Sequence, residues 1–307
     1  MLVENRLREV AGVDFPPLAG ILGQLLQSGG KRLRPALVLL ATRFYECDPA
    51  TAIGVATAVE TLHTATLVHD DLIDNSLLRR GNPTLNTTWK SGVVVLVGDY
   101  LFGMSAELAS QSRNPDLGEI FARTVAVICE GELRNMLDGR RWTITRDEYY
   151  RQIYAKTASL FATCCESGAL IGGGSARERT LLREYGRTMG MAFQITDDVL
   201  DFIGSEQTLG KPVGSDLRQG TITLPAICYM ESHSDDPIVR KVASGDTAQE
   251  TITALIDHIR ASDAISCAFA QAHSLSQEAR GYLETLPSLP CRRVLLDLAD
   301  FVVERKT

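Results

Sequence analysis

The sequence predicts an all-α protein, a single domain of about ten or more helices, and three observations point that way. Apolar residues recur at three- and four-residue steps through most of the 307 residues. Alternating strand patterns are few. No Pro-, Gly- or Ser-rich linker and no charge block divides one half from the other, so one domain over 1–307 is expected.

Taken in order, the first helix with a clear signature spans Pro35 to Glu46. Asp48-Pro49 then supplies an N-cap and a proline for the first turn, and the apolar spacing from Ile53 to Ile73 carries a long helix from about 50 to the mid-seventies. Further helices are expected at Val94–Ser110, Leu117–Leu137, Arg146–Ala169, Arg177–Phe202, Leu224–Glu231, Ala248–Ala261, Ala264–Glu284 and Cys291–Glu304.

Composition narrows the function. With 45% hydrophobic and 22% charged residues, the chain can bury a large core. A formal net charge of −7 argues against a nucleic-acid surface, so any phosphate must meet local basic groups or metal ions. The apolar run Val93 to Val97 is too short to span a bilayer and the N-terminus lacks signal-peptide order, so no transmembrane segment and a cytoplasmic location are expected. The seven scattered cysteines, without a C-x-x-C spacing, read as reduced core residues.

Three loops pair glycine with basic side chains: Ser28 to Pro35, Arg79 to Pro83 and Gly210 to Leu217. Unhindered backbone N–H groups beside cations suit a phosphate cradle. Asp70-Asp71-Leu72-Ile73-Asp74 lies at the end of the long helix, where positions i, i+1 and i+4 share a face with His63 and Leu67. Three carboxylates at a helix C-terminus repel one another and oppose the helix dipole, so a compensating cation is expected. Oxygen-only ligands favour magnesium, which binds one or two carboxylates and leaves its other positions to water and phosphate. The same spacing returns 127 residues later, 197 minus 70, as Asp197-Asp198-Val199-Leu200-Asp201, with Gln194 one turn before it. Two such helix ends facing each other would hold about two or three magnesium ions around a diphosphate and make it a good leaving group.

In order, Gly29 to Pro35, His63 to Asp74, Arg79-Arg80-Gly81, Lys156-Thr157, Phe193 to Asp201 and Gly210 to Gly220 resemble the trans-isoprenyl (polyprenyl) diphosphate synthase family. The resemblance implies an isoprenoid synthase type bundle around a central substrate cavity. It also implies magnesium-dependent head-to-tail condensation of isopentenyl diphosphate with an allylic prenyl diphosphate. By position, Asp70, Asp74, Asp197 and Asp201 are then metal ligands, with Asp71 and Asp198 supporting them. Lys31, Arg34, His63 and Arg80 resemble the isopentenyl diphosphate contacts. Arg79, Lys156, Thr157, Gln194 and Lys211 resemble the allylic contacts, Lys156, Thr157 and Gln194 standing nearest the chemistry. Where many members carry a lysine this chain has Thr221, and Arg218 is the candidate substitute.

The family association implies a homodimer, with a heteromeric partner as the alternative. A terpene cyclase would not need the Lys31 and Arg34 cradle, and a non-catalytic subunit would not need both motifs intact. Ala65 and Thr66, five and four residues before Asp70, lie about 6 to 7.5 Å deeper along the helix. Neither is bulky, so a product longer than a fifteen-carbon chain is expected, in the twenty-five-carbon and longer class.

Overall fold

Helices supply nearly all the regular structure of the computed structural model, which describes residues 2–27, 30–79, 81–139, 142–204 and 212–305. The all-α expectation holds. Four helices open the chain: α1 (Leu2–Ala11), α2 (Pro16–Gln27), α3 (Leu33–Thr42) and α4 (Pro49–Ile73). A small hairpin follows, β1 (Leu78–Arg79) antiparallel to β2 (Asn82–Pro83), and a 3-10 turn (Leu85–Thr87) leads to α5 (Ser91–Ser110). Next come α6 (Pro115–Leu137), α7 (Arg146–Ile153), a π-helical turn (Tyr154–Ala158), α8 (Ser159–Ile171) and α9 (Ala176–Ile203). The chain closes with α10 (Ser215–Arg218), α11 (Leu224–Ser232), α12 (Pro237–Ala243), α13 (Gln249–Ala261), α14 (Ala264–Leu283) and α15 (Pro290–Glu304).

By contacts the chain forms two units. The first holds Met1–Thr124, Thr163–Arg183 and Leu286–Leu295; the second holds Val125–Ala162, Glu184–Thr285 and Leu296–Thr307. The first is organised on α4, whose start is the one the sequence predicts: Asp48 caps it by accepting from the Thr51 N–H at 2.9 Å, with Pro49 in the first turn. This helix is buried all round over residues 55–62, with Ala56, Ala58, Val59 and Leu62 among them, and Ala65 is buried one turn further on. Completely buried leucines such as Leu37, Leu62 and Leu101 are worth about 2 kcal/mol each. Buried Thr57, Thr61 and Thr64 satisfy their hydroxyls on the carbonyls four residues back.

Helix α5 is long and apolar enough to cross a membrane by length and composition, which the short run Val93 to Val97 understated. Its place is against α4, where the Ser105 hydroxyl donates to the Ala58 carbonyl at 2.8 Å.

In the second unit the helix expected over Arg146–Ala169 is interrupted. The Ser159 N–H reaches back five residues to the Tyr154 carbonyl, so one turn is π-helical. Two cysteines also depart from expectation: Cys228 on α11 and Cys267 on α14 form a disulfide, their Cα atoms 6.4 Å apart. Cys164 and Cys165 are buried as expected, and burial pushes both thiols far above their ordinary range. The sequence reading also passed over α1, α2, α10 and α12. Glycines at 20 and 23 and a double proline weaken the helical signal in α2, and α10 and α12 are short.

Candidate active site

In the first unit, the first turn of α3, just after the cradle loop, brings two predicted residues together. Arg34 Nη1 lies 3.1 Å from His63 Nε2 on α4. A guanidinium only donates, so His63 accepts on Nε2 and carries its ring proton on Nδ1. Lys31 is exposed on the same loop. Arg80, assigned to the same substrate, lies outside the described residues, as do Gly29, Gly210 and Lys211.

The first aspartate motif ends α4. Asp70 and Asp71 are half-buried, and exposed Asp74 is the helix C-cap, its N–H bonded to the Asp70 carbonyl at 2.8 Å. The segment after α4 braces this end: Asn86 Nδ2 in the 3-10 turn donates to the Asp71 carbonyl at 2.6 Å, and Arg79 Nε in the hairpin donates to the Asp71 carboxylate at 2.8 Å. Burial raises the Asp71 carboxyl above its ordinary pKa, with the Arg79 charge and hydrogen bond pulling the other way. Arg79, expected on the allylic diphosphate, is therefore placed on Asp71. His63, Thr66, Leu67 and Asp70 form one half-buried stripe along α4, whereas Ala65 is completely buried.

In the second unit, one hydrogen-bonded chain joins four side chains. Thr157 Oγ1 donates to Gln194 Oε1 at 2.6 Å, Gln194 Nε2 donates to Asp198 Oδ1 at 2.8 Å, and the Tyr149 hydroxyl donates to Asp198 Oδ2 at 2.6 Å. Glycine at 190 allows this approach, because a Cβ there would stand 2.7 Å from the Ala158 Cα. Thr157 sits within the π-helical turn, and Lys156 beside it is exposed. Burial pushes the Asp198 carboxyl up to about 8, against the hydrogen bonds from Tyr149 and Gln194. Asp198 is thus an anchor for the Gln194 amide.

Asp197 and Asp201 have different surroundings. Asp197 Oδ1 pairs with Arg305 at 2.6 Å. That guanidinium also donates to the Phe193 carbonyl at 2.8 Å and lies 3.9 Å over the Phe193 ring. Asp201 Oδ2 accepts the Asp216 N–H at 3.1 Å, and its carbonyl accepts the N–H of Gly214 at 2.9 Å. Gly214 has φ 67, and a Cβ there would meet Ile256 at 2.6 Å, so the turn requires glycine twice over. Arg218, the candidate substitute for a lysine at Thr221, donates to the Val213 carbonyl and the Thr253 hydroxyl.

Tyr149 and Arg305 escaped the sequence reading, and Arg32, inside the Gly29 to Pro35 motif, has no role assigned by it. Only the helix-start pattern Thr145-x-x-Glu148, a capping box in the structure, marks the segment that carries Tyr149.

Among the described residues, no group of three or more His, Cys, Asp or Glu side chains is placed to hold a metal. The donor set nevertheless fits magnesium. Asp70, Asp74, Asp197 and Asp201 offer hard oxygens only, and magnesium takes one or two carboxylates with water and phosphate completing its shell.

The polyprenyl synthetase family matches residues 16–259. The heptaprenyl diphosphate synthase component 2 of Geobacillus stearothermophilus is 39% identical over 99% of this chain and 94% of its own length. The crystal structure of a heptaprenyl diphosphate synthase from Staphylococcus aureus superposes with a TM-score of 0.94 at 34% identity, covering 99% of this chain and 96% of its own. A polyprenyl synthase from Caulobacter crescentus, crystallised with calcium and isoprenyl diphosphate, gives a TM-score of 0.90 at 33% identity over 99% and 94%. The chain belongs to the polyprenyl synthetase family, with the isoprenoid synthase fold, and is a prenyltransferase.

Proposed function

We propose that this protein condenses isopentenyl diphosphate with an allylic prenyl diphosphate, releasing diphosphate and giving a trans-prenyl diphosphate longer than fifteen carbons. The reading rests most on the pairing of Thr157, Gln194 and Asp198, which gives the family's motif residues a common chemical task. Magnesium held by Asp70 and Asp74, and by Asp197 and Asp201, would neutralise the charge that grows on the leaving diphosphate.

The allylic C–O bond breaks with its electron pair leaving on the diphosphate. Thr157 commits its proton to Gln194, so its oxygen presents lone pairs that can stabilise the allylic cation. The isopentenyl double bond attacks that cation, and the proton lost from the new chain passes to the departing diphosphate. Lys31, Arg34 and His63 hold isopentenyl diphosphate; Lys156 contacts the allylic diphosphate. Arg80 and Lys211 keep the roles that the resemblance assigns them.

Product length follows from α4. Thr66, on the stripe shared with His63 and Asp70, is the residue a growing chain would pass, while Ala65 lies in packed core. Thr66→Phe should shorten the product and leave the first condensation intact. The names of two heptaprenyl diphosphate synthases among the relatives support a long product.

We also propose a single functional domain in the cytoplasm, acting as a homodimer. The name component 2 supports a second polypeptide as the alternative. The test is an assay of purified protein with isopentenyl diphosphate, magnesium and allylic primers of several lengths. Elongation with diphosphate release is expected. Absence of elongation until a second polypeptide is added would replace the homodimer with a heteromer, and elongation that stops at fifteen carbons would remove the long-product reading.

A further inference from the structure

Arg32 is one of the few non-glycine residues here with a left-handed backbone, at φ 47 and ψ 35. Such a conformation persists where the surroundings over-determine it, and it concentrates at functional sites. The surroundings of Arg32 do this. Its Nε donates to Glu4 Oε1 at 2.7 Å, its Nη1 to Glu60 Oε1 at 2.5 Å and its Nη2 to the Leu26 carbonyl at 2.6 Å. The guanidinium is turned inward, its side chain 20% exposed, so Arg32 is not presented to substrate as exposed Lys31 beside it is.

Glu60 explains where the clamp acts. It is buried on α4 at 6% exposure, a carboxylate that is costly without a cation, and it stands three residues before His63 on the same face of the helix. The end of the cradle loop and the first turn of α3 are therefore tied to α4 about one turn apart, Arg32 to Glu60 and Arg34 to His63. Through Glu4 the tie extends to the N-terminal helix α1.

We infer that Arg32 is a positioning residue for the cationic set Lys31, Arg34 and His63, fixed by Glu60 on α4 and Glu4 on α1, and that the N-terminal helix thereby contributes to binding of the diphosphate without touching it. This rests on the proposed role of that set toward isopentenyl diphosphate.

The test is steady-state kinetics with each substrate varied in turn, alongside thermal melting. Arg32→Gly keeps the left-handed turn accessible while removing the clamp. It should raise KM for isopentenyl diphosphate about tenfold or more and leave KM for the allylic primer unchanged. Arg32→Lys, a point charge that cannot fork to three acceptors, should recover part of the loss. Glu4→Gln, at a half-exposed position that tolerates change, should raise the same KM about twofold to fivefold with little change in melting temperature. If Arg32→Gly and Glu4→Gln leave that KM unchanged while Lys31→Ala raises it, the positioning role is wrong and Arg32 is a structural staple. If Lys31→Ala and Arg34→Ala also leave it unchanged, the underlying assignment of the cradle fails instead.

Discussion

Asp70-Asp71-Leu72-Ile73-Asp74 closes α4 beside solvent, whereas Asp197-Asp198-Val199-Leu200-Asp201 lies in the last turns of α9 with Asp198 and Asp201 buried at 4% and 2% exposure. The spacing is identical and the physical settings are opposite. At the first motif, the half-exposed Arg79 compensates the charge of Asp71, and Asp74 is exposed. At the second, hydrogen bonds from Tyr149, Gln194 and the Asp216 backbone do so, with Arg305 on Asp197. Equal motifs should thus share a catalytic task but not a structural one: the first can be altered without cost to the fold, and the second cannot.

The largest effects test the shared task. Asp70→Ala and Asp197→Ala should each lower kcat by about a thousandfold or more, because stabilisation of charge in the transition state is lost. Near-normal turnover in either variant, measured with saturating magnesium, would break the comparison at its base.

The contrast appears in stability. Asp198→Ala strands the buried Tyr149 hydroxyl and the Gln194 amide, and should cost about 2 to 4 kcal/mol in urea unfolding of the metal-free protein. Asp74→Ala, at an exposed C-cap, should stay within about 0.5 kcal/mol. Equal losses at the two positions would show that burial does not separate the motifs.

Tyr149 sharpens the second half of the comparison. Removing its hydroxyl alone, in Tyr149→Phe, should cost about 1 to 2 kcal/mol of stability and about tenfold in kcat. The rate falls because the Asp198 carboxyl that orients Gln194 and Thr157 loses one of its two holds. Unchanged kcat with reduced stability would make Tyr149 a core residue only.

This asymmetry explains what was legible in the sequence. The long helix could be read because its start is local, Asp48 and Pro49 next to each other, and its apolar side repeats. The aspartate motifs could be read for the same reason. Arg34 meeting His63 across 29 residues was suggested by family order, not by either residue alone. Tyr149 on Asp198 is 49 residues distant and Arg32 on Glu60 is 28; Asp198 and Arg32 lie in motifs, but no periodic or motif signal marks their partners Tyr149 and Glu60. The π-helical turn at Thr157 was read as ordinary helix because a one-residue register change leaves the apolar pattern almost intact. The disulfide joins cysteines 39 residues apart on separate helices, a pairing that spacing does not mark.

The smallest effect concerns Arg79, the ionic neighbour of Asp71 in the first motif. Arg79 and Asp71 are 2.8 Å apart with side chains 38% and 13% exposed, and a pair this open to water is worth under about 1 kcal/mol. Arg79→Lys keeps the charge and removes the fork, so the melting temperature should hardly move. Its consequence depends on whether Arg79 serves only Asp71 or turns to the allylic diphosphate, the role expected of it from the motif order. A lysine can neutralise Asp71 nearly as well as arginine, but it holds a diphosphate less tightly because it cannot donate two parallel hydrogen bonds. A rise of about threefold in KM for the allylic primer, with unchanged stability and unchanged KM for isopentenyl diphosphate, is the expected result. If the allylic KM stays at the wild-type value, Arg79 belongs to Asp71 alone, and the first motif then has a dedicated charge partner, as Asp197 has in Arg305.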